Sequence, residues 1–559
     1  MMERLKSEGV PRAKGRQMVV TGRAAEAQVI NAYRILFCIY SWYYFRQMRP
    51  VIEALARDGH TIHVLSILHD RDDFKASIDE VCATYPNVTY QVGPKRQDAW
   101  AERAAVLRLS QSYLQSQQPR FNDACRYSDY ARLKGRHPQL LEKPFFKTAF
   151  GRELAWRVLR RCNDALPTDP EIDAVFSSLK PDLLVITPLI DREGDMWDHM
   201  ASARKAGVRT VLPVHSWDNL SSKARINCVP DRVLVWNETQ VEEALRLHHI
   251  PRRRIIMTGA QGFDEWFSMK PSVSREEFCR TLGLDPSRPI LLYICSAILK
   301  RHMAAAIASE EKSELPYFSR WITALRSSGD ERLREANVVI RPHPKREQQW
   351  DDVDLSAWGR IVVHPPYGRL PNNRESKAVF FDSLYHSEAT VGISTSAMIE
   401  AGIVGRVAMT VLDPDYADGQ SAMQHFQYLL KVGDGLLVTA NTYEEHVRQL
   451  SHQLDSPWEA ASKLASFVNA FVRPLGREQE GTPLVAQAIV EVAARGPARC
   501  RKTNFVDKWL ERRLADWEPR ERVTAARHWP DMSPEELQRR MVRRQARRDS
   551  RSGKEVEPA

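Results

Sequence analysis

The sequence has no closely spaced pair of cysteines, although eight cysteines are spread over its 559 residues. The lack of any Cys-x-x-Cys pair excludes a zinc ribbon and a thioredoxin-type redox motif. Thiols scattered along a long chain are typical of a reducing cytosol. Long apolar stretches are also missing, since the longest run, Pro289–Leu299, is too short to span a bilayer. The first residues are polar and basic, without the apolar core of a signal peptide, so we predict a cytoplasmic protein.

Acidic residues are too few to balance the basic ones, because 71 Asp and Glu stand against 81 Lys and Arg for a net charge of +10. Such a balance suits an acidic partner: a sugar nucleotide, an anionic lipid surface or a nucleic acid. We predict no nucleic-acid partner, since much of the excess lies near the end of the chain and no recognised binding motif occurs. Seven arginines between Arg539 and Arg551 recur in pairs every four residues. They indicate either a solvated helical tail or contact with an anionic surface at the inner membrane.

Short apolar runs alternate with helical patterns in two blocks of the sequence. Near-continuous apolar strands between helices indicate a sheet buried on both faces. We therefore predict an α/β fold with two tandem Rossmann-like doubly wound domains and a helical C-terminal tail. Ligands of such pairs bind in the cleft at the carboxyl ends of the strands. The predicted parts are a disordered extension at 1–32, a first domain at 33–260, a linker at 261–288, a second domain at 289–455 and a basic helical tail at 456–559.

The strongest chemical signal is a group of basic side chains at the end of an apolar strand. Val338–Ile340 is followed by Arg341, then by His343 and Lys345, with a proline on each side of the histidine. Proline stops the strand and fixes the backbone, so the three groups are presented at its carboxyl end. Arg and Lys attract phosphate and His adds a directional hydrogen bond. The alternative is an ordinary loop with exposed charges.

A second signal is a turn of three hydroxyl residues between a strand and a helix. This hydroxyl turn consists of Ser394, Thr395 and Ser396, and Glu400 follows one helical turn later on the same face. Hydroxyls and free N–H groups at a helix N-terminus bind anions, and a carboxylate there can hold two ribose hydroxyls. Plain helix capping with a solvated Glu400 is the alternative.

These two elements resemble the nucleotide-binding half of GT-B glycosyltransferases. More narrowly, they are similar to the group of capsule-polysaccharide transferases, Kdo-transferases and CDP-glycerol glycerophosphotransferases. The resemblance covers residues 285–430 and rests on the Arg-Pro-His-Pro motif and the later hydroxyl turn followed by Glu. It implies that His343 and the hydroxyl turn bind the donor phosphate, and that Glu400 binds the ribose.

A third signal follows a buried strand of the first domain. His215 and Asp218 are candidate general bases there, and Lys223 is a candidate phosphate contact. The segment is similar to the His-bearing loop that some of these transferases place opposite the donor. It lacks the His-Gly-Thr form expected in the glycerophosphotransferases, which counts against glycerol phosphate transfer. The alternative is a capped loop with a packed Trp217.

Together, these signals predict a metal-independent glycosyltransferase, with the donor on the second domain and a glycan or lipid-linked acceptor on the first. We assign no metal to Asp413-Pro414-Asp415, and no cofactor beyond the nucleotide-sugar donor. An epimerase of the same fold is the first alternative, although its Gly-Thr-Arg phosphate loop is replaced here by the aromatic segment Ser41–Arg46. A glycerophosphotransferase and a non-catalytic scaffold are the others.

Overall fold

The computed structural model describes residues 32–68, 72–118, 139–190, 194–222, 226–296, 313–344, 347–350, 353–366, 371–421, 423–500 and 503–517. From Tyr33 onward these residues belong to one compact unit. Nearly all of the predicted N-terminal extension lies outside the described residues. The same holds for Lys223, Lys345 and the arginines of the predicted tail from Arg539.

Seven strands form a parallel sheet in the first domain. They are β1 (Arg34–Ile39), β2 (Thr61–Ser66), β3 (Val88–Val92), β4 (Leu183–Thr187), β5 (Arg209–Pro213), β6 (Arg232–Val235) and β7 (Ile255–Met257). Their order in the sheet is β3-β2-β1-β4-β5-β6-β7, so the order reverses between β1 and β4. In register, Ile35 of β1 lies between Ile62 of β2 and Leu183 of β4. Every residue of β4 is buried, as the near-continuous apolar run predicts for a sheet covered on both faces.

Six strands form a second parallel sheet. They are β8 (Ile290–Ile294), β9 (Asn337–Arg341), β10 (Ile361–Val363), β11 (Ala389–Gly392), β12 (Val407–Val411) and β13 (Leu437–Ala440). The order β10-β9-β8-β11-β12-β13 reverses between β8 and β11. These two sheets confirm the predicted fold class of two doubly wound α/β domains. The limits predicted for the domains stay predictions.

Helices surround both sheets. In the first domain they are α1 (Phe45–Arg57), α2 (Asp72–Thr84), α3 (Ala101–Ser116), α4 (Pro144–Lys147), α5 (Ala149–Ala165), α6 (Pro170–Leu179), α7 (Asp195–Lys205), α8 (Asn219–Ser222) and α9 (Glu238–Arg246). Those that follow are α10 (Arg275–Leu282), α11 (Leu315–Arg326), α12 (Glu331–Arg334), α13 (Arg374–Tyr385), α14 (Ala397–Val404), α15 (Gln424–Lys431), α16 (Tyr443–Asp455), α17 (Ala460–Phe471), α18 (Gly481–Ala493) and α19 (Phe505–Ala515).

One C-terminal helix returns to the first domain. Val485 and Ile489 of α18 are buried in the same apolar cluster as Phe37 of β1. The carboxylate of Asp264 accepts hydrogen bonds from the first backbone N–H groups of α18, those of Gly481 at 3.0 Å and Thr482 at 2.6 Å. A carboxylate at this end satisfies unpaired N–H groups and complements the helix dipole. The chain after the second sheet therefore helps to build the core of the first domain.

Candidate functional site

The carboxyl ends of β8 and β11 meet where the strand order of the second sheet reverses. The backbone N–H of Ser394, just after β11, donates to the Ser296 hydroxyl, just after β8, at 3.0 Å. The N–H of Ser296 in turn donates to both carboxylate oxygens of the buried Glu314, each at 3.1 Å. Ligands of open α/β sheets bind outside such a reversal point. The hydroxyl turn therefore begins at the favoured ligand position of this domain.

Capping of the helix that follows engages at most one hydroxyl group of this turn. Ser396 occupies the N-cap position of α14, yet its side chain makes no capping hydrogen bond. The Thr395 hydroxyl accepts from the Ala397 N–H only at 3.5 Å, the long limit of a hydrogen bond. All three hydroxyl residues are partly exposed. Capping, the alternative explanation, thus accounts for at most one of them.

A buried amide fixes the backbone that leads into this turn. Gln420 donates to the carbonyl of Ile393 at 3.1 Å and to the hydroxyl of Thr410 at 2.8 Å. Ile393 directly precedes Ser394, so these bonds hold the start of the hydroxyl turn against β12. Gln420 is a positioning residue for the turn.

Arg341 ends β9 and is almost completely buried. Its guanidinium carbon lies 4.0 Å from the centroid of the Phe380 ring, close enough for a cation–π contact. Burial lowers the Arg341 pKa to about 10, while the charge of Glu400 acts to raise it. The side chain is therefore still a cation at neutral pH. His343, two residues further on, is partly exposed.

Charged side chains of both domains influence the pKa of Glu400. Burial raises its pKa to about 7, and the charges of Arg46 and Arg341 act against that rise. Arg341 belongs to the second domain, whereas Arg46 lies in α1 of the first. The Nε of Arg46 is buried and has no hydrogen-bond partner among the described residues. The Glu400 carboxylate is thus influenced by one cation from each domain.

His215 faces the same region from the first domain. It is buried after β5, and its ring centroid lies 4.4 Å from that of Tyr44 and 5.8 Å from that of Tyr43. The Arg46 guanidinium lies over the Tyr43 ring at 5.0 Å. A continuous set of contacts therefore runs from His215 through the aromatic segment to Arg46, whose charge acts on Glu400.

Asp218 lies in a different group of side chains. It accepts a hydrogen bond from the Ser222 hydroxyl at 3.1 Å, and its charge raises the pKa of the buried Glu243. Glu243 in turn accepts a hydrogen bond of 2.7 Å from the hydroxyl of Tyr428, which belongs to α15 in the second domain. The adjacent Trp217 packs edge-on against His425 at 4.8 Å. Asp218 is thus placed at a contact between the domains, and His215 beside the aromatic segment.

Several residues of this arrangement are not among the candidates that the sequence motifs predict. Arg46 is the last residue of the aromatic segment, and its position beside the conspicuous tyrosines is a usable signal. His364 directly follows β10, and the charge of Arg341 helps burial to lower its pKa. Phe380 and Glu243 carry no sequence signal, because only the tertiary fold brings them to Arg341 and Asp218.

No protein-family model matches the chain, and no curated protein matches it. Similar solved structures include a glycosyltransferase from Rickettsia africae ESF-5, with 11% identity and a TM-score of 0.46 over 83% of this chain and 99% of that one. Anabaena Alr3699/HepE in complex with UDP and glucose has 10% identity and a TM-score of 0.45 over 83% and 100%. A putative UDP-N-acetylglucosamine 2-epimerase from Listeria monocytogenes has 11% identity and a TM-score of 0.47 over 85% of this chain and 100% of that one. At these values the similarity carries no argument about activity.

The acidic segment Asp413–Asp415 is engaged within the fold. Asp413 accepts hydrogen bonds from Arg320 at 2.5 Å and from the Tyr443 hydroxyl at 2.6 Å. Across the described ranges, no three His, Cys, Asp or Glu side chains form a group that could hold a metal ion. Within the same ranges, none of the helices combines the length and apolar character needed to cross a membrane.

The burial of Glu243 predicts a pH-dependent stability. Burial and the Asp218 charge raise the Glu243 pKa to about 8, although hydrogen bonds from Tyr428 and Ser221 and the charge of Arg246 oppose the rise. The folded state therefore keeps this proton to a higher pH than the unfolded chain does. Its stabilising effect is complete at low pH and is lost as the pH rises through 8.

We expect the free energy of unfolding of the wild type to fall by on the order of 2 kcal/mol between pH 6 and 9 because of Glu243. In Glu243→Gln this contribution to the pH dependence should be absent. Chemical unfolding at several pH values measures this difference. Glu242→Gln is the matched control, because Glu242 is the exposed neighbour and undergoes the same charge change. Parallel pH profiles for the wild type and the Glu243 variant would contradict the raised pKa.

Proposed function

We propose that this chain is a metal-independent glycosyltransferase of the GT-B type. It moves a sugar from a nucleotide-sugar donor to a glycan or lipid-linked acceptor in surface polysaccharide biosynthesis, in the cytoplasm and at the inner membrane. The observation that carries the proposal is the group of Glu400, Arg341 and Arg46, in which both guanidinium charges act on the carboxylate. It supplies a carboxylate for ribose hydroxyls and cations for phosphate at the place where the two domains meet.

The second domain holds the donor in this proposal. Arg341, His343 and the hydroxyl turn bind the diphosphate, and Lys345 adds a positive charge. When the bond between the anomeric carbon and the phosphate oxygen breaks, negative charge develops on the departing nucleoside diphosphate. Hydrogen-bond donors and cations that are already in place stabilise that charge without having to reorganise. Glu400, ionised, accepts hydrogen bonds from the ribose.

The first domain activates the acceptor. His215 or Asp218 removes a proton from the acceptor hydroxyl as its oxygen forms the new bond to the anomeric carbon. The buried His215 is held by aromatic rings and Asp218 by Ser222, so both side chains have fixed positions. Fixed positions favour proton transfer, which requires close and well-oriented partners.

The aromatic segment favours transfer over epimerisation. Tyr43 and Tyr44 lie in a short 3-10 helix after β1, where the epimerase alternative requires a Gly-Thr-Arg phosphate loop. Their rings provide a surface on which a sugar can stack. Glycerol phosphate transfer is the remaining alternative, and the residues after His215 count against it.

Incubating the full chain with a panel of sugar nucleotides and a mixture of glycan and lipid-linked acceptors tests the proposal. We expect one donor to release its nucleoside diphosphate and to label an acceptor. An epimerase would change the sugar while the nucleotide stays attached, and a glycerophosphotransferase would release CMP from CDP-glycerol. Binding without any product would identify a scaffold. Any of these last three results would contradict the proposal.

A further inference from the structure

Large apolar side chains are exposed along α4, α5 and α19 and at Leu140, a few residues before α4. Phe150 is 72% exposed and Phe505 83% exposed, the highest values among the exposed large apolar residues of the described chain. We call the whole set the apolar ridge; it comprises Leu140, Phe145, Phe150, Leu154, Val158, Phe505, Val506 and Trp509. Exposed large apolar side chains grouped on neighbouring helices mark an interaction site.

The ridge follows the geometry of its helices. Phe150, Leu154 and Val158 are spaced four residues apart in α5, so they lie on one face. The Phe145 ring from α4 extends this face, with its centroid 6.5 Å from that of Phe150. Arg161 of α5 fastens α19 alongside through contacts with Asp507 at 2.9 Å and Asn504 at 3.1 Å. The two helices thus present their apolar residues from one packed unit.

Positive charge borders the ridge. Between Lys143 and Ala165 six Lys and Arg residues stand against two acidic ones. Lys143, Lys147 and Arg157 are exposed there, and Arg512 and Arg513 are exposed on α19. Arg157, Arg160 and Arg161 also line a cavity of about 490 Å³, together with Glu153 and Asp164. Apolar side chains with a basic rim are suited to the interface of an anionic bilayer.

We propose that the apolar ridge docks this protein on an anionic lipid bilayer, with the aromatic side chains in the acyl boundary and the arginine-lined cavity at the level of the phosphate headgroups. Because basic side chains border the apolar ridge, an anionic lipid surface complements it better than a neutral apolar partner does. The inference deepens the membrane attachment proposed above and locates it on described helices of the first domain. It does not depend on transferase activity.

Vesicle sedimentation of the full chain tests the docking surface. We expect binding to vesicles of phosphatidylcholine mixed with phosphatidylglycerol, little binding to phosphatidylcholine alone, and weaker binding as salt screens the charges. Phe150→Asp combined with Phe505→Asp should lower binding to the anionic vesicles by about tenfold or more, since two aromatic side chains can no longer be buried in the lipid. Trp458→Ser is the matched control, because Trp458 is a 69% exposed aromatic outside the ridge.

Both positions are exposed, so the double variant should unfold at the wild-type temperature and bind sugar nucleotide normally. The proposal is overturned if the double variant binds anionic vesicles as tightly as the wild type. It is equally overturned if the wild type ignores them. Light scattering adds a third outcome: self-association of the wild type that the double variant abolishes, with vesicle binding unchanged, would assign the ridge to a contact between copies of the chain.

Discussion

Replacing the general base of the first domain, His215 or Asp218, should cut sugar transfer by ~100-fold or more while nucleotide affinity stays nearly unchanged. The reason is their location. Both residues follow β5, whereas the proposed donor groups lie at or after the carboxyl ends of β9 and β11. A group that acts only on the acceptor proton contributes to the transition state and little to donor binding.

His215→Gln and Asp218→Asn, assayed in parallel, separate the two candidates. His452→Ala serves as a control, since the side chain of His452 is exposed at 66% and belongs to neither group. Unfolding measurements are needed for Asp218→Asn because the carboxylate also accepts the Ser222 bond. Full activity in both variants would place the base elsewhere, with Tyr44 as the next candidate.

Glu400→Ala should weaken nucleotide-sugar binding by about 1.5–3 kcal/mol, the loss expected for hydrogen bonds to a charged group. The Glu400 pKa of about 7 adds a pH signature, because only the ionised carboxylate accepts both ribose hydroxyl protons. Affinity of the wild type should therefore rise with pH through 7 and level off above it. It is lost as the pH falls through 7, when the carboxylate takes up a proton.

Calorimetry between pH 6 and 8 measures this dependence with a nucleotide sugar. Glu400→Gln keeps the shape of the side chain and removes its titration, so its affinity should be low and independent of pH. Glu444→Gln is a matched control at an exposed carboxylate in the first turn of α16. A wild-type pH profile retained in the Glu400 variant would assign the titration to another group.

Local sequence patterns predict most of the second sheet. The apolar runs predicted just before Arg341 and just before the hydroxyl turn become β9 and β11, with the predicted basic and hydroxyl residues at or after their carboxyl ends. The sequence patterns do not predict strands β3, β7 and β13. Only the first residue of β3 is buried, and β7 has only three residues, so neither forms an apolar run long enough to stand out.

Contacts between distant segments are beyond such patterns. The apolar spacing of Val485 and Ile489 shows that α18 buries one face, but nothing in it names the first sheet as the partner. The hydrogen bond from Tyr428 to Glu243 joins residues 185 positions apart. Burial by the tertiary fold, not local sequence, raises the pKa values of Glu243 and Glu400. The sequence therefore suggests the chemical groups of the candidate site, whereas their electrostatic environment depends on the tertiary fold.

In the proposed mechanism the nucleotide binds the second domain, while the first domain binds the acceptor and supplies the general base. Calorimetric titration of one nucleotide sugar into the wild type, His343→Ala and His215→Ala tests it most directly. The proposed site predicts an affinity loss of about 1.5–3 kcal/mol for the His343 variant and nearly wild-type affinity for the His215 variant. Wild-type binding by His343→Ala would contradict the proposed donor site.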